Sequence, residues 1–144
     1  MRYWNGPASK TLADTRRVLG WLSKTSSRYN SLAWAVADTS SGRLTGMVNY
    51  HNREARMARL EIGYLIARDQ QRKGFGAEAV SALIDCCTRD LKVHRVAALI
   101  HPENVASIAL AEALGFRCEG GPLVDYACVD GVFHSVMVYA RVGV

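Results

Sequence analysis

The stretch Arg68-Asp69-Gln70-Gln71-Arg72-Lys73-Gly74-Phe75-Gly76-Ala77 joins an alternating apolar run to a long helical one. Before it, residues 59–66 alternate, with Leu60, Ile62, Tyr64 and Ile66 on one face and Glu61, Gly63 and Leu65 on the other, which predicts a strand. After it, the pattern from Gly74 to about Leu91 predicts a helix, with Phe75, Ala79, Leu83 and Cys86 on one side. Gly74 and Gly76 let backbone approach a ligand with no Cβ in the way. The helix aims its free N–H groups and dipole back at this loop, a ready site for phosphate, and Arg68, Arg72 and Lys73 add positive charge. The phosphate-binding pattern GxxxxGK[ST] is absent. Gly74, Gly76 and Ala79 fit the dinucleotide fingerprint only in its loose form. The polar stretch from Arg68 to Lys73 separates strand from glycine, so that reading is set aside. A glycine turn carrying solvated arginines is the bland alternative.

Working outward, Arg95 to Ile100 is a short apolar run that reads as a strand buried on both faces. With the strand at 59–66 and the helix after Gly74 it forms a right-handed βαβ unit. Upstream, Thr11-Leu12-Ala13-Asp14 resembles a capping box, and apolar spacing carries a helix to about Lys24. Leu32 to Ala37 and Leu44 to Tyr50 predict a hairpin around Asp38–Arg43, and the arginine-rich run 52–59 a loop. Downstream, Val105 to Leu114 predicts a helix stopped by Gly115. Two strands follow, the second near Phe133 to Val142, with a turn at Asp130-Gly131. The class is α/β with a partly parallel sheet.

The 144 residues, 49% apolar and 22% charged, suit one domain, 1–144, with its own core. No apolar window spans a membrane, and no secretory leader is visible, which together imply a cytoplasmic protein. Cys86, Cys87, Cys118 and Cys128, like the four histidines, lack metal-ligand spacing, so no metal is expected. The net charge of +5 favours an anionic partner. The basic residues do not interleave with aromatics, which argues against nucleic acid.

After the 95–100 run comes His101-Pro102-Glu103-Asn104-Val105-Ala106-Ser107, then Leu114-Gly115-Phe116. Gln71-Arg72-Lys73-Gly74-Phe75-Gly76 matches the Gln/Arg-x-x-Gly-x-Gly/Ala signature of the GNAT superfamily of N-acetyltransferases. Asn104-x-x-Ser107 followed by Leu114-Gly115-Phe116 resembles that family's next helix, in the same order and spacing. Leu60-Glu61-Ile62-Gly63-Tyr64, Glu119-Gly120 and the closing Val138-Tyr139-Ala140-Arg141 are similar to the branch that includes the ribosomal-protein N-terminal acetyltransferases. The resemblance covers residues 30–142 well and Thr11–Lys24 more loosely.

The resemblance implies the acyl-CoA N-acyltransferase fold, a mixed, mostly antiparallel sheet flanked by helices, here lacking the usual first strand and helix. The open sheet edge this leaves implies self-association as a homodimer, or a rearranged N-terminus. It implies acetyl-CoA as co-substrate, without a metal, and an amine acceptor, either a small molecule or a protein N-terminus. Gln71, Arg72, Lys73, Gly74, Phe75, Gly76 and Ala77 would form the CoA loop, N–H groups from Arg72 to Ala77 holding the pyrophosphate. Main-chain groups of Leu65, Ile66 and Ala67 would pair with the pantetheine arm. Asn104 would contact that arm, and Ser107 would lie near the sulfur. Many relatives carry a tyrosine where this chain has Ala111, so Ser107 becomes the candidate acid for the departing thiolate. Glu61 is the candidate base, with an ion pair to Arg59 or Arg95 as its bland alternative. Asp125 and Tyr126 are weaker candidates. Trp4, Trp21, Trp34, Tyr50 and His51 could line an acceptor pocket or pack structurally. Arg53, Arg56 and Arg59 form a basic cluster. The competing reading is a non-catalytic acyl-CoA-binding or regulatory domain, prompted by the absent tyrosine.

Overall fold

Period-two alternation dominates the chain, and strands follow from it. The computed structural model describes residues 11–17 and 31–143. In chain order these form β1 (Leu32–Ala37), β2 (Leu44–Glu54), β3 (Arg59–Ile66), α1 (Phe75–Arg89), β4 (Arg95–Ile100), α2 (Val105–Ala113), β5 (Arg117–Val129) and β6 (Val132–Val142). The strands make one six-stranded sheet in the order β1-β2-β3-β4-β6-β5. Every neighbouring pair is antiparallel except β3 and β4, which run parallel and are joined through α1. This is the mixed, mostly antiparallel α/β sheet with flanking helices that the sequence implied.

Both helices pack into one core. α1 supplies Val80, Leu83, Ile84 and Cys87, and α2 supplies Ala111, against Val48, Leu60, Ile62, Val96 and Ala98 of the sheet. Burying each large apolar side chain of this set stabilises by about 1.5–3 kcal/mol. Burial, and then the neighbouring Cys86, push the Cys87 thiol up to about 12. It stays protonated, and all four cysteines are free.

The ends of the elements show their causes. Residues 12–17 are helical behind a reciprocal cap, in which Thr11 Oγ1 accepts the Asp14 N–H at 3.1 Å and Asp14 Oδ2 accepts the Thr11 N–H at 3.0 Å. The remainder of that predicted helix, with Trp4 and Trp21, lies outside the described residues. At the end of α2, Gly115 sits at φ +83. The Phe116 N–H reaches the Ala111 carbonyl and the Gly115 N–H the Glu112 carbonyl, both at 3.0 Å. That is the Schellman arrangement, which needs left-handed backbone at the glycine. Asp130 and Gly131, at φ 50 and φ 79, form the turn between β5 and β6.

Three expectations need correction. β2 continues past Tyr50 to Glu54, because Glu54 still pairs with Arg59 after a bulge, and the predicted 52–59 loop shrinks to a short turn. β4 is buried on one face only. Val96, Ala98 and Ile100 are buried, whereas Arg95, Ala97 and Leu99 are half-exposed. α1 turns Val80, Leu83, Ile84 and Cys87 inward, so of the predicted stripe only Leu83 lies at its centre. No described helix is long and apolar enough to cross a membrane.

Candidate functional site

The site begins where β3 and β4 part. Only three residue pairs join them, Arg59 with Arg95, Leu60 with Val96 and Glu61 with Ala97. β3 then runs on to Ile66 and β4 to Ile100 without pairing, which opens a wedge between two parallel strands. On the other side β3 stays paired with β2 as far as Ile66. Main-chain groups of an antiparallel strand alternate in direction. The Ala67 N–H donates to the Thr45 carbonyl at 2.8 Å. Ala67, Leu65 and Gly63 therefore face β2, while Tyr64 and Ile66 turn their main-chain groups into the wedge and Ile62 closes its narrow end in the last rung to β4. Of Leu65, Ile66 and Ala67, only Ile66 faces the opening, and its carbonyl accepts Gln71 Nε2 at 3.0 Å. The Ala67 carbonyl is taken by the Gln70 N–H at 2.8 Å.

The glycine loop closes one end of the wedge. Gly74 is the N-cap of α1, at φ +90, and it offers no side-chain cap to the helix. The first helical N–H groups, at Phe75, Gly76 and Ala77, precede the first intrahelical donor, Glu78, whose N–H reaches the Gly74 carbonyl at 3.0 Å. They form an open donor cluster at the positive end of a 15-residue helix. Arg72, at φ 61, and Lys73 are exposed beside it. A chain of polar contacts fixes the turn beneath. Arg43 reaches Asp69 at 2.8 Å, Gln70 Nε2 donates to the same carboxylate at 3.0 Å, and Lys73 Nζ donates to Gln70 Oε1 at 3.2 Å. These partners, Gln70 first, hold the Asp69 carboxyl below its ordinary range.

α2 forms the opposite wall. Asn104 is its N-cap, and Asn104 Oδ1 accepts the Ser107 N–H at 3.3 Å. The Ser107 carbonyl accepts the Tyr64 hydroxyl at 3.1 Å, a bond that crosses the wedge from β3. Both main-chain groups of Ser107 are thus pinned. Burial raises the Tyr64 phenol, so it remains a neutral donor at physiological pH. Sequence reading placed Tyr64 only on a strand face. The signal was its position on the run leading into the glycine loop, but nothing local pairs residue 64 with residue 107.

Glu61 sits at the point of the fork, half-buried on the sheet face opposite the helices. Its partner is neither Arg59 nor Arg95. Arg59 is held by Glu54 at 2.6 Å, and Arg95 makes a two-pronged pair with Glu119. Glu61 instead meets His51 on the paired strand at 3.4 Å. That hydrogen bond, outweighing burial and helped by Asn52, holds the carboxyl below its ordinary range. Asp125 and Tyr126 lie on the edge strand β5, separated from β3 by β6 and β4. Trp34 leans on Tyr50 with ring centroids 5.9 Å apart, and on the helix side it lines a cavity of about 400 Å³ with Phe75 and Glu78 of α1. Among the described residues no group of three or more His, Cys, Asp or Glu could hold a metal ion.

Comparison with known proteins agrees with this geometry. Residues 1–117 match the family model described as an acetyltransferase (GNAT) domain. The chain is 27% identical over 139 residues to the uncharacterized N-acetyltransferase p20 of Bacillus licheniformis, covering 96% of this chain and 78% of that protein. It is 29% identical over 123 residues to the [ribosomal protein uS5]-alanine N-acetyltransferase of Escherichia coli, covering 85% and 63%. The crystal structure of a ribosomal-protein-S5-alanine acetyltransferase from Vibrio fischeri superposes with a TM-score of 0.79 at 24% identity, covering 94% of this chain and 76% of that one.

Proposed function

The chain belongs to the GNAT acetyltransferase family, in the branch that includes the ribosomal-protein N-terminal acetyltransferases, and from that membership we propose that it transfers the acetyl group of acetyl-CoA directly to a primary amine, a protein N-terminus or a small-molecule amine. Acetyltransferases of this family use acetyl-CoA. The observation that carries the proposal is the wedge itself. One unpaired strand edge leads from an uncapped helix N-terminus to a half-buried carboxylate.

In this reading the N–H groups of Phe75, Gly76 and Ala77, with Arg72 and Lys73 beside them, hold the CoA pyrophosphate. Pantetheine lies in the wedge as an added strand, against the main-chain groups of Tyr64 and Ile66. A main-chain N–H of this edge facing the thioester oxygen stabilises the tetrahedral oxyanion. Glu61 takes a proton from the acceptor's ammonium. The amine attacks the thioester carbonyl, the C–S bond breaks, and Ser107 Oγ supplies a proton to the thiolate. General acid and base groups of this kind contribute about 10² to 10⁴ each. Tyr64 and Asn104 position Ser107, and Ala111, where many relatives carry tyrosine, is buried in the core.

The test is thiol release from acetyl-CoA with a panel of amines, an alanine-terminated peptide and spermidine among them. Turnover with at least one amine supports the reading. Saturable acetyl-CoA binding with no thiol release for any amine supports the non-catalytic alternative.

A further inference from the structure

On the sheet face opposite α1 and α2, the side chains of β2 and β3 gather around one carboxylate. His51 is paired with Glu61, and Asn49 with Gly63. His51 Nε2 lies 3.4 Å from Glu61 Oε2, and Asn49 Nδ2 lies 3.2 Å from His51 Nδ1. An amide N–H only donates, so Nδ1 accepts and the imidazole proton sits on Nε2, facing Glu61. The other atom of the amide, Asn49 Oδ1, occupies the space that a side chain at residue 63 would fill. A Cβ there would lie 2.6 Å from it. Gly63 therefore admits the amide that orients the imidazole.

A second feature converges on the same carboxylate. The β2–β3 register shifts between His51 and Glu54, and Asn52 in this bulge takes φ 51. Bulges re-aim side chains. Here the Asn52 amide joins His51 in holding Glu61. The nearby cations are engaged elsewhere, Arg59 with Glu54 and Arg95 with Glu119. The groups that face Glu61 most directly are His51 and Asn52, and the charge of Arg59 acts on it from farther away. A cation in their place would hold the carboxylate as firmly, but it would repel an incoming ammonium and weaken the base.

We propose that His51 is the positioning residue of the proton transfer: fixed by Asn49 as the neutral Nε2–H tautomer, it holds one Glu61 oxygen so that the other faces the acceptor's ammonium. The inference rests on Glu61 being the base. In the step, one N–H bond of the ammonium breaks and an O–H bond forms on Glu61. The freed lone pair attacks the acetyl carbonyl, and the C–S electron pair leaves on sulfur. His51 and Asn49 exchange no proton.

The experiment combines three variants with two readouts. Nitrogen-15 NMR of histidine-labelled protein at pH 8 reports the tautomer of His51, independently of any acceptor. Turnover with the amine that gives thiol release, and calorimetric binding of acetyl-CoA, are measured for His51→Leu, His51→Gln and Glu61→Gln. The expected result is an Nε2–H tautomer, a kcat at least tenfold lower for His51→Leu with acetyl-CoA affinity within twofold, and recovery to within threefold in His51→Gln, whose amide reaches the same oxygen. The acidic limb of the kcat/KM profile should move to higher pH in His51→Leu. An Nδ1–H tautomer, or wild-type kcat and pH profile in His51→Leu while Glu61→Gln is inactive, overturns the role of His51 alone. Full turnover in Glu61→Gln, or no turnover of the wild type with any amine, overturns the base reading and this inference with it.

Discussion

Ser107 is held by two bonds from different elements, and removing each in turn measures the wall of the wedge. Tyr64→Phe deletes the hydroxyl that reaches the Ser107 carbonyl at 3.1 Å. Tyr64 is largely buried and the Ser107 carbonyl keeps its helix partner, so the cost is that of one hydrogen bond, about 1 kcal/mol. Asn104→Ala deletes the N-cap that accepts the Ser107 N–H at 3.3 Å, again about 1 kcal/mol. The two bonds grip the same turn of α2. Once the cap is gone the turn frays and the Tyr64 bond is worth less. The double variant should therefore cost less than the sum of the singles, with a coupling of about 0.5 kcal/mol or more. Urea denaturation of the four proteins gives the cycle, and each single variant should melt about 3 °C lower. Singles indistinguishable from wild type would refute the claim that these bonds hold Ser107. So would full additivity.

Three further outcomes follow from the geometry. Ser107→Ala should keep acetyl-CoA affinity within twofold and lower kcat by about 10² or more, read by thiol release. Gly74→Ala meets no atom within 4 Å, so its cost comes from the left-handed backbone at φ +90, about 1–2 kcal/mol, measured by denaturant unfolding. Glu61 is held below its ordinary value of 4.5, so its contribution to stability is full above that pH and is lost as pH falls through the folded value. Glu61→Gln should flatten the acid limb of the stability curve, sitting below the wild type at neutral pH and converging with it at low pH.

The sequence carries what is local. Alternation set the bounds of β3 and short apolar runs those of β1 and β4, and Thr11-x-x-Asp14, Gly115 and Asp130-Gly131 announced a cap, a stop and a turn that the structure contains. The glycine loop was legible because a strand, two glycines and a helix are contiguous. Contacts that join distant residues were not legible. The length of β2 depends on Glu54 finding Arg59 after a bulge, which no propensity encodes. The partner of Glu61 is decided by strand register, because a strand pairing places His51 across from it while Arg59 and Arg95 find Glu54 and Glu119. The direction of each main-chain group on β3 also depends on register. Hence the strand edge facing the wedge belongs to Tyr64 and Ile66 rather than to Leu65 and Ala67.

The central claim is that acetyl-CoA binds along the wedge with its pyrophosphate at the start of α1. Calorimetric titration of the purified chain with acetyl-CoA, with free CoA as comparison, tests it most directly. The account predicts saturable, micromolar binding of both, at one site per chain. A folded sample that binds neither would contradict it.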